Sequence, residues 1–244
     1  MPEGPSIIIL KEAVAEFKGQ KILEVSGNAK VDLSGIEGKK ITAFKTFGKN
    51  FFICFGKRKA IKIHLMLFGS YRINERKKTP ARLRLVCARG EMNFYACSVQ
   101  LIEEDLGTIY DWSADVMSDE WDAAKAKKKL KEMPGTWVVD ALLDQSIFAG
   151  VGNIIKNEVL FRIQVHPKSR VGKLPLKKLN EMIRQARIYS FDFLEWKKQY
   201  VLKKHWQAHT KKKCPRDGNT IVKEYLGKTN RRTFFCNKCQ ELYT

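Results

Sequence analysis

At 244 residues the chain is long enough to bury a substantial core and to divide into two domains with a small appendage. Its 46 Lys and Arg against 26 Asp and Glu leave a formal charge of +20, a field that attracts polyanions, nucleic acid ahead of an acidic membrane surface. The longest apolar run near the start covers only residues 7–10, so neither a signal peptide nor a membrane-crossing helix is expected.

The chain opens MPEGPSIII. Pro5 suits the first position of a helix, where its missing N–H has no partner to lose, and residues 6–19 are predicted as a short amphipathic helix stopped by Gly19. This leaves Pro2 and Glu3 unexplained at a terminus, where chains usually fray. Residues 21–104 read as strands. KITAFKTFGKNFFICFGKRKAIKIHLML alternates and is broken by glycine and charge, and RLRLVCARGEMNFYACSVQLI predicts a hairpin turned at Arg89-Gly90. Cys54, Cys87 and Cys97 lie singly in these apolar stretches and are expected as small, reduced, buried hydrophobes.

Beyond residue 111 the period becomes helical. SDEWDAAKAKKKLKEMPG predicts a helix capped by Ser118, with acids in its first turn, lysines in its last and Pro134-Gly135 as its stop. TWVVDALLDQ and NIIKNEVLFRIQV predict two more helices around SIFAGVG, and residues 175–198 a longer one with Leu176, Leu179, Met182, Ile183 and Ala186 at helical spacing. The glycines of FAGVGN fall just before a helix that begins at Asn153. Backbone N–H groups at such a terminus bind phosphate, although a plain helix–turn–helix joint uses the same pattern.

The tail KCPRDGNTIVKEYLGKTNRRTFFCNKCQ has the cadence of a zinc ribbon, two knuckles separated by a hairpin. Cys236 and Cys239 stand at C-x-x-C spacing. Cys214 is followed three residues later by Asp217, where a ribbon usually has cysteine, so a structural zinc held by Cys214, Asp217, Cys236 and Cys239 is expected, with His209 as a rival fourth ligand. The alternative is a plain turn at Asp217-Gly218 and no metal. A lysine-rich chain without a secretory signal argues for a reducing, intracellular setting and against disulfides. From Lys203 onward eleven Lys and Arg face three acids, and Arg231-Arg232 fall at the turn of the hairpin, a position suited to a phosphate backbone.

Five stretches in order, MPEGP, FGKNFFICF with Lys49, HLMLFG from His64, LLDQSIFAGVGNIIKNEVLF and RRTFFCNKCQ, resemble the formamidopyrimidine-DNA glycosylase / endonuclease VIII family of base-excision repair enzymes. The resemblance implies an α+β fold: an N-terminal helix plus β-sandwich (residues 1–112), a helix–two-turn–helix domain (113–203) and a C-terminal β-hairpin zinc finger (204–244). It also answers the question of the first residues. Removal of Met1 would free the Pro2 amine, whose pKa lies near neutrality, as a nucleophile toward C1′ of a damaged nucleotide, with Glu3 as proton donor and acceptor. The implied activity is that of a bifunctional DNA glycosylase and AP lyase, cleaving the strand by β,δ-elimination without a catalytic metal.

Carried over by position, Lys49 and Arg231 join Pro2 and Glu3 as catalytic residues, Arg231 for δ-elimination. Asn153 binds phosphate, and Lys156 and Arg232 stand among the DNA-contacting residues. His64 opens the void-filling loop, and Met66, Leu67 and Phe68 would enter the base stack as a nucleotide leaves it; sandwich core is their alternative role. The expected partner is double-stranded DNA with damaged bases or abasic sites, met by a monomer with no small-molecule cofactor and no membrane. The chain departs from the pattern at Ser6, where many relatives carry glutamate, and at Asp217. The short EWKKQYVLKKHWQAHTKKKC connection leaves little room for a loop over a flipped purine, which favours oxidised pyrimidines. A purine-lesion glycosylase and a catalytically weak damaged-DNA-binding protein are the alternatives.

Overall fold

A computed structural model describes residues 2–244. The chain falls into two units, the first ending at Asp111 and the second spanning Trp112–Thr244.

The first unit begins with helix α1 (Gly4–Ala13), which continues into a 3₁₀ turn at Ala15–Phe17. Eight strands follow: β1 (Ile22–Ser26), β2 (Ala43–Phe47), β3 (Asn50–Cys54), β4 (Ala60–His64), β5 (Ser70–Ile73), β6 (Leu83–Cys87), β7 (Gly90–Tyr95) and β8 (Ser98–Ile102). A short helix, α2 (Leu106–Ile109), completes the unit. The strands make two antiparallel four-stranded sheets, β1-β6-β7-β5 and β2-β3-β4-β8. Their inner faces pack together. Phe51 of β3 lies 6.2 Å from Phe94 of β7, and Ile53, Ile61 and Ile63 share one core with Ile22, Leu85 and Met92. Helix α1 closes this core with Ile7 and Leu10. Strand β3 is buried almost throughout rather than alternating, because Phe52, on its outer face, is covered by Tyr110 at 5.1 Å. The β6–β7 turn is Ala88-Arg89, one residue earlier than predicted, with Gly90 already paired to Cys87. Cys54, Cys87 and Cys97 are buried and free, and burial pushes the Cys87 and Cys97 thiols up to about 11.

The first helix starts earlier than its composition suggests. Glu3 is the residue before the helix, in extended conformation, and Ser6 occupies the third helical position, where its hydroxyl accepts the Glu3 N–H at 3.4 Å. Two prolines near a helix start are compatible with this, since the first-turn N–H groups have no intrahelical acceptor.

The second unit holds α3 (Ala123–Lys131), α4 (Val138–Leu143), α5 (Asn153–Arg162), α6 (Leu176–Lys198) and a hairpin of β9 (Val222–Leu226) and β10 (Arg231–Phe235). Helix α3 is capped by Asp122, whose carboxylate accepts the N–H groups of Ala124 and Lys125, and not by Ser118. The Ser118 hydroxyl takes the Glu120 N–H in a preceding turn, and Trp121 leaves that turn to pack on Phe148 at 5.9 Å. Helix α6 buries Leu179, Met182, Ile183 and Ala186 as its spacing predicts, whereas Leu176, its first residue, is exposed. Helix α5 is buried from Asn153 to Phe161. Ile154, Ile155, Val159 and Leu160 join the helical core, Phe161 packs with Ala208, Cys214 and Phe234 under the hairpin, and the polar residues face the hairpin and the segment before it. Among the described residues no helix is long and apolar enough to cross a membrane.

Candidate functional site

In the first unit the candidate residues lie at the chain start and at one end of the strands of the β2-β3-β4-β8 sheet. Pro2 is half-buried and Glu3 fully buried at the head of α1. Lys49 is the second residue of the two-residue turn Gly48-Lys49 that joins β2 to β3. His64 ends β4 opposite Asn50, so it lies beside that turn. Burial, with the like charges of Lys49 and Lys62, pushes the His64 imidazole below its usual range. Its Nδ1 accepts the Met66 N–H at 3.1 Å, which leaves Nε2 to carry the proton of the neutral ring.

Met66, Leu67 and Phe68 follow as a tight projecting loop, 53%, 45% and 83% exposed, so they are not sandwich core. The loop is closed by the Gly69 N–H on the Leu65 carbonyl at 2.7 Å, and a Cβ on Gly69 would stand 1.9 Å from that oxygen. Only glycine fits there. Leu65 turns inward and anchors the loop at 3% exposure. Met66, Leu67 and Phe68 thus form an exposed apolar patch of three consecutive side chains.

In the second unit the loop before α5 is held by two side chains, Gln145 and Asp144. Gln145 donates to the carbonyls of Leu143 and Val151 and accepts the Gly150 N–H, and Asp144 caps the Ser146 N–H at 2.8 Å. This presents the N-terminus of α5. Gly152 occupies the cap position, and Asn153, the first helical residue, does not cap with its side chain. Its amide reaches across to the hairpin instead, Nδ2 donating to the Arg232 carbonyl at 2.8 Å. Lys156, one turn on, is fully buried, with Nζ donating to Asn153 Oδ1 at 2.9 Å and to Thr233 Oγ1 at 2.8 Å. Arg231 and Arg232 are exposed and open β10, just beyond the turn at 227–230 rather than within it. Asp140 of α4 ties that turn down by accepting the Lys228 N–H at 2.8 Å.

Cys214, Asp217, Cys236 and Cys239 come together at the base of the hairpin, their ligand atoms all within 4.8 Å of one another. Cys214 Sγ lies 3.7 Å from Cys239 Sγ, and Cys236 Sγ 3.3 Å from Asp217 Oδ2. A tetrahedron with metal–sulfur bonds of about 2.3 Å has edges of about 3.8 Å, so the donor set and its spacing fit a tetrahedral metal ion. Two knuckles supply it. The Cys214 N–H meets the Asn219 carbonyl at 2.7 Å, and the Gln240 side chain accepts the Cys236 N–H at 2.9 Å. Arg216 donates to Cys239 Sγ at 3.2 Å and offsets the charge that three thiolates and a carboxylate would concentrate. His209 is not part of this group. Its Nδ1 is 3.0 Å from Asn157 Nδ2 and its ring packs edge-on against Trp206 and Phe234.

Sequence spacing did not single out Gln145, Glu158 or Thr233. Glu158 is fully buried and its carboxylate accepts the backbone N–H groups of Gln207, Ala208 and His209, which fixes the approach of the chain to the hairpin. The available signal was a Lys-Asn-Glu run inside an otherwise apolar helix, since polar groups at core positions must have internal partners.

The formamidopyrimidine-DNA glycosylase N-terminal domain matches residues 1–97, and the H2TH domain of the same glycosylases matches residues 113–189. Endonuclease 8-like 3 of Xenopus laevis is 31% identical over 235 residues, 90% of this chain and 38% of that protein. The chain thus spans well under half the length of that relative. A DNA-(apurinic or apyrimidinic site) lyase of Mycolicibacterium smegmatis is 32% identical over 184 residues, 71% of each chain. Among solved structures, the formamidopyrimidine-DNA glycosylase of Lactococcus lactis, non-covalently bound to DNA containing an AP site, has the same fold, with a TM-score of 0.85 at 20% identity over 98% of this chain and 99% of that one. A viral DNA glycosylase gives 0.82 at 21% identity, covering 98% of this chain and all of that one. With two domain matches in family order and a relative 32% identical over most of both chains, this protein belongs to the formamidopyrimidine-DNA glycosylase / endonuclease VIII family.

Proposed function

We propose that the protein is a bifunctional DNA glycosylase and AP lyase acting on damaged or abasic double-stranded DNA, as a monomer inside the cell. The observation that carries this reading is the chain start, where Pro2 precedes a fully buried Glu3 at the head of a helix. With Met1 removed, the Pro2 secondary amine has a pKa near neutrality, far below that of lysine, so a useful fraction is unprotonated. It attacks C1′ as the C1′–base bond breaks and the base leaves with a proton; the C1′–O4′ bond then opens, O4′ takes up a proton, and Pro2 and the now open sugar are joined as an iminium. Glu3 moves the proton at the sugar ring. The iminium acidifies C2′: loss of that proton breaks the C3′–O bond (β-elimination). Loss of the C4′ proton then breaks the C5′–O bond (δ-elimination) and leaves phosphate ends. Lys49 and Arg231 neutralise the departing phosphates, Asn153 and Arg232 hold the backbone, and His64 with Met66, Leu67 and Phe68 fills the vacated stack.

On this reading residues 1–112 are the catalytic domain, 113–203 the helix–two-turn–helix DNA-binding domain and 204–244 the finger. Cys214, Asp217, Cys236 and Cys239 would hold one zinc ion, which folds the finger and takes no part in the covalent steps. Oxidised pyrimidines are the favoured substrates. The connection after α6 is taken up by a 3₁₀ turn at Leu202–His205 whose His205 stacks on Trp196 at 4.1 Å, which leaves little chain to cover a flipped purine. Ser6 supports the weaker-catalyst reading, since it offers Glu3 a hydroxyl where many relatives have a second acid.

Borohydride trapping on abasic DNA tests the enzyme reading. Mature protein should give a covalent adduct, and a form extended at the N-terminus should give none. Absence of an adduct from protein verified to begin at Pro2 would leave a damaged-DNA-binding protein. Faster release of 8-oxoguanine than of thymine glycol from matched duplexes would overturn the substrate assignment.

A further inference from the structure

Lys156 is the one fully buried lysine among the described residues, and the mechanism above gives it nothing to do. An ammonium so deep in the protein is strongly unfavourable unless hydrogen bonds replace its water. Two of its hydrogen bonds lead to the finger. Nζ donates to Thr233 Oγ1 at 2.8 Å, and the same hydroxyl donates to the Arg231 carbonyl at 3.1 Å. Nζ also donates to Asn153 Oδ1 at 2.9 Å, which commits the other end of that amide, Nδ2, to the Arg232 carbonyl at 2.8 Å. Asn157 adds a longer contact from Nδ2 to the Arg232 carbonyl at 3.5 Å. One buried charge therefore sets the rotamers of Thr233 and Asn153, and through them pins the carbonyls of the two consecutive arginines whose side chains are exposed.

The geometry points to Lys156 as a positioning residue for the finger arginine: acting through Thr233 and Asn153, it fixes the backbone from which Arg231 reaches the departing phosphate. The effect is specific to one step. Pro2 and Glu3, which carry base release and the first elimination, lie in the other unit and on other elements. The second elimination, in which the C4′ proton is lost and the C5′–O bond breaks, needs Arg231 placed to receive the phosphate. A loosened β10 entrance should leave more product at the β-stage. The inference rests on the glycosylase/lyase reading, and its test keeps the two apart.

Thr233→Val removes the hydroxyl link with almost no change of shape, Thr233→Ser keeps the link, and Lys156→Met removes the charge at similar length. Each is incubated with abasic duplex, and the unsaturated-aldehyde and phosphate ends are separated on a denaturing gel, with borohydride trapping run in parallel. The ratio of δ- to β-product is expected to fall about tenfold in Thr233→Val and Lys156→Met, the scale of one lost charge-assisted hydrogen bond, and to return in Thr233→Ser. An unchanged ratio in folded Thr233→Val, equal loss in Thr233→Ser, or wild-type protein that traps but stops at the β-product would each overturn the inference while the enzyme reading stands. Failure of the wild type to trap at all would overturn the enzyme reading instead. A fall in trapping with a constant product ratio would assign Lys156 to folding alone and also overturn the inference.

Discussion

Acidification from pH 7 to pH 5 is expected to remove about 2 kcal/mol of stability through His209 alone. Burial pushes this imidazole down to about 4, and the charges of Lys156 and Arg232 add to the effect. Glu158, whose carboxylate accepts the backbone N–H groups of Gln207, Ala208 and His209, is itself pushed up by burial, toward its neutral form. Nδ1 faces the Asn157 amide, and the two flanking rings are aromatic edges. The folded value lies below the 6.5 of the free side chain, so the unfolded chain takes up the proton first. The contribution is therefore complete above about pH 6.5 and is lost as pH falls toward 4. The whole gap is worth about 3 kcal/mol, of which about 2 kcal/mol falls between pH 7 and 5. His209→Gln keeps an acceptor for Asn157 and cannot titrate. Urea unfolding of both proteins at both pH values isolates the effect, since every other acid-sensitive group cancels in the comparison. Wild type should lose about 2 kcal/mol more than the variant over this interval. Equal losses, or a His209 ring that titrates near 6.5 by NMR, would refute the argument.

Asp217→Ala should lower metal content and weaken metal retention against a chelator, whereas Asp217→Cys should retain the ion at least as well, because it supplies the ribbon's usual thiolate. Identical metal content in all three proteins would show that Asp217 is not a ligand. Gly227→Ala should cost about 1–3 kcal/mol, since φ is +77° and a Cβ would stand 2.3 Å from Asp140 Oδ1; a neutral effect on thermal unfolding would mean that the Asp140 contact yields freely. DNA affinity should fall steeply with salt, by about 0.9 log units per phosphate neutralised for each log unit of salt, and a flat response would contradict a phosphate-tracking surface.

Several features were legible from residue order alone, and the others fail for identifiable physical reasons. The four-residue metal cluster follows from knuckle spacing, but spacing could not exclude His209, which is drawn away by Asn157 and two aromatic rings. The start of α3 moved from Ser118 to Asp122 because Trp121 has a place in the core, and an earlier helix start would have turned it elsewhere. Met66 and Phe68 have the composition of a strand interior. Their exposure is set by the Leu65–Gly69 closure, a backbone contact with no signature beyond a single glycine. Lys156 reads as one more surface cation in a basic protein, and only the register of β10 against α5 shows that it is enclosed.

Helix α5 is buried from Asn153 to Phe161, and its Asn153, Lys156 and Glu158 side chains hydrogen-bond to the hairpin and to the segment at 207–209. Such a helix has no favourable intermediate in which it is packed against the helical core but the hairpin is absent, because Lys156, Asn157 and Glu158 would then be left without these partners. The hairpin and the helices should accordingly open and close as one cooperative unit, giving a common hydrogen-exchange protection for amides of α5 and β10. An ion bound at the four-ligand cluster would then stabilise the entire unit by linkage rather than its own knuckles alone, and its removal would register as faster exchange deep in α5, far along the chain from any ligand.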